Sequence, residues 1–445
     1  MSREMKNSGI PWIGDIPKDW EMYRIKYNTF LKGRIGWQGL NSNDFIDEGY
    51  CLITGTDFDN KGGINWHTCY RISKERFYED VLLHVKNGDL LMTKDGTVGK
   101  MAYIKNLPEE ASLNSHLLII RQTTGRIDNG FLYWIMLSDV FKRFCSIYQS
   151  GSIMNSISQS TLGLFCSYCP SIIEQQKIAS FLDRKCAEID EMIALQEKIV
   201  EELKAYKQSV ITEAVTKGLN TDVPMKNSGV EWIGEIPEHW KQCRLKNYFH
   251  LHGRIGWNGL RSDEFEESSY AYLVTGQDFK AKDIDWKKCY QIRKERYDED
   301  PFIQLTEGDI LVTKDGTIGK VAVVKNLNKP ACLNSGIFVV KQYEPKCFDS
   351  GYVYWLLVSP LLKTFNDFLN LGGTTIIHLY QNVFERMPLV LPPLEEQQAI
   401  ANHLDKICSE IDSLIRIKES KIDSLKEYKK SIIYEYVTGK KEVTL

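Results

Sequence analysis

"EQQKIASFLDRKCAEID" occupies positions 174–190, and "EQQAIANHLDKICSEID" occupies 396–412. The two stretches match over their whole length and are free of Gly and Pro. From 172 to 216 the chain contains neither residue, which reads as one unbroken helix. Leu182, Ile189, Leu203 and Val210 fall on a seven-residue spacing interrupted by Gln196, and Met192, Ile199 and Tyr206 form an offset seam. Leu404, Ile411, Leu425 and Ile432, with Ile407, Leu414 and Tyr428, repeat the pattern. Prolines precede each helix at Pro170 and at Pro392 and Pro393, and Gly218 and Gly439 are natural stops. About 45 helical residues at ~1.5 Å each reach roughly 70 Å. Two such seams in one chain most simply pack on each other as an antiparallel pair, in preference to each lying along its own globule.

Outward from the helices, the repeat extends over nearly the whole chain. "MKNSGIPWIGDIPKDW" (5–20) matches "MKNSGVEWIGEIPEHW" (225–240), "GRIGWQGL" (33–40) matches "GRIGWNGL" (253–260), and "TGTDF" (54–58) matches "TGQDF" (275–279). "TKDGTVGK" (93–100) matches "TKDGTIGK" (313–320), and "LNS" recurs at 113 and 333. A unit this long is a duplicated domain pair, not a solenoid of ~20–50-residue repeats. Before each helix lies a segment rich in Gly, aromatics and short β-like runs such as "DLLMTK" and "IFVVKQ", with a helical patch "FLYWIMLSDVFKRF" inside the first. The expected fold class is α+β. It comprises two α/β globules (1–170 and 219–392) in pseudo-two-fold tandem repeat, separated by two long antiparallel coiled-coil helices (171–218 and 393–445).

Composition constrains function. The 445 residues carry 26% charged side chains and a net charge of −3, without the basic excess usual for a nucleic-acid protein. DNA binding would have to come from local clustering or a basic partner. Eleven cysteines and an N-terminus without an apolar h-region point to reduced thiols and a cytoplasmic location. No apolar run reaches the ~18 residues of a membrane span. Cys166 and Cys169 form a lone CxxC without histidines nearby, better read as thiols on a strand than as a zinc site. His250 and His252 correspond to Phe30 and Lys32, so a ligand site needed by both halves is not there. Neither "DGTVGK" nor "DGTIGK" has phosphate-loop spacing, and GxSxG and HExxH are absent. The halves read as recognition surfaces, without catalytic residues or a metal site.

The tandem order, the "PSIIEQQ" and "PPLEEQQ" helix entries and the "WIGxIPxxW" openings at Trp12 and Trp232 resemble the specificity subunit of type I restriction–modification systems. That resemblance implies that each globule is a target-recognition domain reading one half of a split, near-palindromic double-stranded DNA site. The helices would act as ruler and docking surface for two methyltransferase subunits. Those subunits would use S-adenosylmethionine to methylate adenine N6, and restriction subunits would add ATP/Mg-driven translocation and cleavage. The specificity chain itself would bind no cofactor. Half-sites about one helical turn apart, ~34–36 Å, would face one side of the duplex. The alternatives are a stand-alone DNA-binding or scaffold protein without methyltransferase partners, and a fused methylase, which the missing motifs disfavour.

The candidate DNA contacts follow from residue chemistry. Thr93, Lys94, Asp95, Gly96, Thr97 and Lys100, with Thr313, Lys314, Asp315, Gly316, Thr317 and Lys320, place cations and hydroxyls on a tight turn. Arg34 and Arg254 sit between glycines and could read guanine, with Trp37 and Trp257 beside them. Ser152 and Thr374 lie in polar loops, 149–158 and 370–379, which differ more between the halves. His116 against Gly336 is a further difference.

Overall fold

The computed structural model describes residues 3–34, 40, 42–59, 61–148, 156–254, 260–344, 347–369 and 379–443. It divides into two compact units, Met1–Glu197 with Ser420–Leu445, and Lys198–Glu419. The division falls inside the long helices, at 197/198 and 419/420.

In the first unit a four-stranded antiparallel sheet has the order Thr29–Gly33, Leu117–Gln122, Leu90–Thr93, Met101–Tyr103. A second, mixed sheet runs Ala111–Leu113, Tyr50–Ile53, Tyr70–Ile72, Phe45–Ile46, its first pair parallel. The central strands carry unbroken apolar runs, Leu117–Ile120 and Leu90–Met92, because both of their faces are covered there. Leu90, Met92, Leu118 and Ile120 face a core shared with the helices Asn129–Leu137 and Asp139–Tyr148. Leu91, Leu117 and Ile119 face the other way, onto Cys51, Ile53 and Leu113. A hairpin, Met5–Asn7 with Asp15–Pro17, and a strand pair, Glu21–Arg24 with Cys166–Cys169, complete the globule. Cys166 and Cys169 are thus alternate-face thiols of one strand, and burial pushes Cys169 up to about 11.

The second unit repeats the plan. Its antiparallel sheet runs Phe249–Gly253, Ile337–Gln342, Ile310–Thr313, Val321–Val323, and its second sheet Tyr290–Ile292, Ala271–Val274, Ala331–Leu333. His250 and His252 lie on its edge strand, their rings 5.8 Å apart, and His252 stacks on Phe302 at 5.0 Å. Burial, then the neighbouring His250, hold the His252 imidazole below its ordinary value.

The long helices run Ile172–Lys217 and Leu394–Val437. Each entry is fastened by the first glutamine of its Glu-Gln-Gln. Gln175 accepts from Asp128 N at 2.7 Å and donates to Pro170 O at 2.8 Å, and Gln397 accepts from Asp349 N at 2.9 Å and donates to Pro392 O at 3.0 Å. Both amides are fully enclosed, so the recurring motif joins the helix to its globule.

The seams divide their work along the helix. In the first unit Ile178, Leu182, Cys186 and Ile189 enter the globule's core, as do Leu425, Ile432, Ile433 and Val437 of the other helix. In the second unit Ile400, Leu404 and Cys408 share a core with Ile211, Ala214 and Val215. Between these ends ion pairs link the helices in antiparallel register. They are Asp190–Lys429 (2.6 Å) and Glu197–Lys426 (3.7 Å) in the first unit, and Lys207–Asp412 (2.7 Å) and Lys204–Glu419 (3.6 Å) in the second. Each pair uses the same two repeat positions with the chain order exchanged. Pairing and packing on the globules therefore both occur, over different lengths. The offset seam is corrected at four positions, where Met192, Tyr206, Leu414 and Tyr428 are exposed, while Ile199 and Ile407 are half-buried, Ile407 against the core of the second unit.

Candidate nucleic-acid interface

The repeated turn begins where its strand ends at Thr93. Thr93 N donates to Lys100 O (3.0 Å) and Gly99 N to Thr93 O (2.9 Å). The Thr93 hydroxyl accepts from Lys100 N (3.0 Å) and donates to Thr97 O. Closing so tight a loop needs left-handed backbone at Gly96 (φ 69°) and Gly99 (φ 86°), and Gly316 and Gly319 repeat it at 70° and 81°. Thr313 makes the same bonds, its hydroxyl accepting from Lys320 N at 3.0 Å. Both threonines are buried, so they are corrected from DNA contacts to loop closures.

Four other recurring blocks converge on this turn. Lys94 N donates to His116 O (2.9 Å), immediately after "LNS", and Ile157 N donates to Lys94 O (2.9 Å), at the end of the polar loop. In the second globule Lys314 N donates to Gly336 O (2.9 Å) and Leu379 N to Lys314 O (3.2 Å). The "TGxDF" turn lies alongside: a β-carbon at Gly55 would come within 3.1 Å of the Thr93 methyl, and one at Gly276 within 2.9 Å of the Thr313 methyl. Asn114 N and Asn334 N tie "LNS" to Ile53 O and Val274 O, each at 2.9 Å.

Arg34 and Arg254 complete the gathering from inside. Arg34 Nε donates to Leu113 O (3.1 Å) and Nη2 to Ser112 Oγ (3.2 Å), while Nη1 faces Glu79 at 3.9 Å. Arg254 Nε donates to Leu333 O (3.0 Å) and Nη2 to Cys332 Sγ (3.4 Å). Both arginines are almost wholly enclosed, at 1% and 3% exposure, and burial lowers the Arg34 guanidinium from its ordinary value. The expected guanine readers are therefore corrected: they hold the "LNS" turn in place, and a guanidinium enclosed in this way has no face left for a base.

What remains at the surface is small and polar. Gly96, Thr97 and Lys100 are exposed, as are Gly316, Thr317 and Lys320. Lys94 and Lys314 are half-buried beside Asp95 (3.9 Å) and Asp315 (3.0 Å). His116 Nδ1 lies 3.2 Å from Asp95 Oδ2, a partner that Gly336 does not provide. Among the described residues no group of acidic, histidine or cysteine side chains could hold a metal ion, and no helix is long and apolar enough to cross a membrane.

A family model for the type I restriction modification DNA specificity domain matches residues 35–205 and 237–427. The chain belongs to this family. The specificity chain is 26% identical over 432 residues to the type I restriction enzyme MjaVIII specificity subunit of Methanocaldococcus jannaschii, covering 96% of this chain and 93% of that one. Its fold is similar to a chain from a structure of type I restriction–modification complex assembly and conformational transition, with a TM-score of 0.73 and 15% identity over 95% of this chain and 99% of that one. It is also similar in fold to the HsdS subunit from Thermoanaerobacter tengcongensis, with a TM-score of 0.54 and 15% identity over 95% and 98% of the two chains. The specificity chain is a DNA-recognition component and not a catalyst.

Trp37, Ser152, Trp257 and Thr374 lie outside the described residues. The "TGxDF" blocks are visible as repeats, but their placement on this face is not. Asp57 and Asp278 brace the turn: Asp57 Oδ2 accepts from Thr54 N (2.7 Å) and Oγ1 (2.9 Å), and Asp278 from Thr275 N (2.7 Å) and Oγ1 (2.8 Å). That leaves the one varied residue, Thr56 or Gln277, exposed at the tip. A varied position flanked by identical ones is the signal that could have found it.

Proposed function

We propose that each globule reads one half of a bipartite double-stranded DNA site, and that the paired helices set the spacing and dock two methyltransferase subunits. The observation that carries this reading is the convergence of five recurring blocks on one end of each globule, in both halves of the chain. A surface built twice in this way suits a target with two halves. Because shared turns face DNA in both halves, the half-sites are near-inverted repeats, each with an adenine for methylation on opposite strands.

Docking is supported by the exposed offset seam. Met192, Leu195 and Tyr428 in the first unit, and Leu414, Ile417 and Tyr206 in the second, are large apolar side chains open to solvent at equivalent positions. Such faces are usual at partner interfaces. The partners would bring S-adenosylmethionine chemistry, and restriction subunits ATP and Mg. They would also bring most of the phosphate clamp that a chain of net charge −3 lacks. Such a role belongs in the cytoplasm.

The test is to co-express the chain with its methyltransferase subunits and sequence the methylome. A bipartite motif methylated once per half, on opposite strands, is expected. A single undivided motif, or none, overturns the reading. Lys94→Ala and Lys314→Ala should each weaken contact with one half-site about 3- to 10-fold and lower the salt slope by about one. An unchanged slope for both would remove the lysines from the interface.

A further inference from the structure

Resting on the half-site reading, we propose that positions 56 and 277 determine specificity, with Gln277 taking the major-groove edge of an adenine in the second half-site. The turn that carries them is the same object in both globules. An aspartate braces its backbone, and its glycine lies against the threonine that closes the neighbouring lysine-bearing turn. Only the exposed tip residue differs.

The two tips have different chemistry. The Thr56 hydroxyl is engaged with Thr54 Oγ1 at 2.7 Å, leaving chiefly a methyl group outward. Gln277 uses its backbone N–H on Thr275 Oγ1 (3.3 Å), and among the described residues its side-chain amide has no hydrogen-bond partner. A carboxamide offers a donor and an acceptor side by side, which matches adenine N7 and N6. A threonine methyl suits the thymine methyl. A braced turn fixes where the side chain leaves the backbone, so the discrimination is not diluted by loop ordering. The two half-sites should therefore depart from inverted symmetry at the pair facing these tips, with adenine toward Gln277.

The test uses the full chain with its methyltransferase subunits. Gln277→Ala should relax base preference at one position of the second half-site by about 10- to 100-fold, leaving the other positions as they were. Gln277→Thr should give that position the preference of its first-half counterpart. Thr56→Gln should bring adenine into the first half. Both residues occur naturally at this turn, so unfolding curves should match wild type, and a variant that fails to fold overturns the assignment as an exposed reader. Unchanged preference at every position in all three variants also overturns it. A wild-type complex that methylates no bipartite motif would instead sink the half-site reading itself.

Discussion

Trp20 and Trp240 hold the same place in the repeat, and both are almost wholly enclosed, yet their indole nitrogens fare differently. Trp240 Nε1 donates to Glu396 Oε2 at 2.7 Å, and His239 Nε2 lies 2.7 Å from the other oxygen. Trp20 Nε1 is buried without a hydrogen-bond partner among the described residues. Arg3 is the reason. It donates to both oxygens of Glu174, at 2.6 and 3.1 Å, and to Asp19 at 2.9 Å, and its guanidinium lies 5.7 Å over the Trp20 ring. Val223 stands where Arg3 would recur. Both halves kept the ring volume while the polar partners diverged. Filling a core is demanded by close packing, whereas a carboxylate can be satisfied by more than one donor.

The largest test of that equivalence removes one half. A fragment of residues 1–218 loses Leu425, Ile432, Ile433 and Val437 from its core. It retains Leu203, Val210, Ile211 and Val215, their repeat counterparts. Two fragments should therefore complete each other, giving a dimer by light scattering at micromolar concentration. Ile211→Asp in the fragment should abolish it. A folded monomer would break the comparison.

Next in size are the buried arginines. Arg34→Met leaves the Leu113 carbonyl and the Ser112 hydroxyl without their donor and should cost about 2–4 kcal/mol in urea unfolding. Arg254→Met should cost somewhat less, because Cys332 Sγ is a weaker acceptor than a hydroxyl. Burial holds that thiol neutral, pushed up to about 11 although Arg254 opposes the shift. Equal tolerance of both substitutions, with altered base preference, would return the arginines to the DNA surface.

The smallest effect separates the tryptophans. Trp240→Phe removes a donor from Glu396 and should destabilise by about 1 kcal/mol more than Trp20→Phe, which removes none. The reverse order, by the same unfolding measurement, would mean that the Arg3 contact with the ring outweighs a charged hydrogen bond.

Much of the architecture was legible because it is written as repetition and periodicity. Leu182 and Ile189 were visible as a seam, and both are buried. Met192 and Tyr206 looked equally seam-like, but the side of a helix that meets a core depends on what the rest of the chain brings to it. At the candidate interface the lysine-bearing turns stood out by recurrence. Recurrence marks closure as well as contact, however, and Thr93 and Arg34 recur because the turn and its support need them. Thr56 and Gln277 sit in a block that is otherwise identical in the two halves, and nothing in its composition reveals that the turn reaches this face.

The sequence by itself determined the duplication, the two Gly- and Pro-free helices and the lack of catalytic motifs, since these depend on residue order and backbone sterics. Tertiary structure decided which recurring residues face inward. Arg34 is buried because its reach matches the Leu113 carbonyl, a bond between residues 79 positions apart. Nothing local to Gly33 or Arg34 specifies that distance. It is set by the pairing of Thr29–Gly33 with Leu117–Gln122, which brings the "LNS" turn within hydrogen-bonding range.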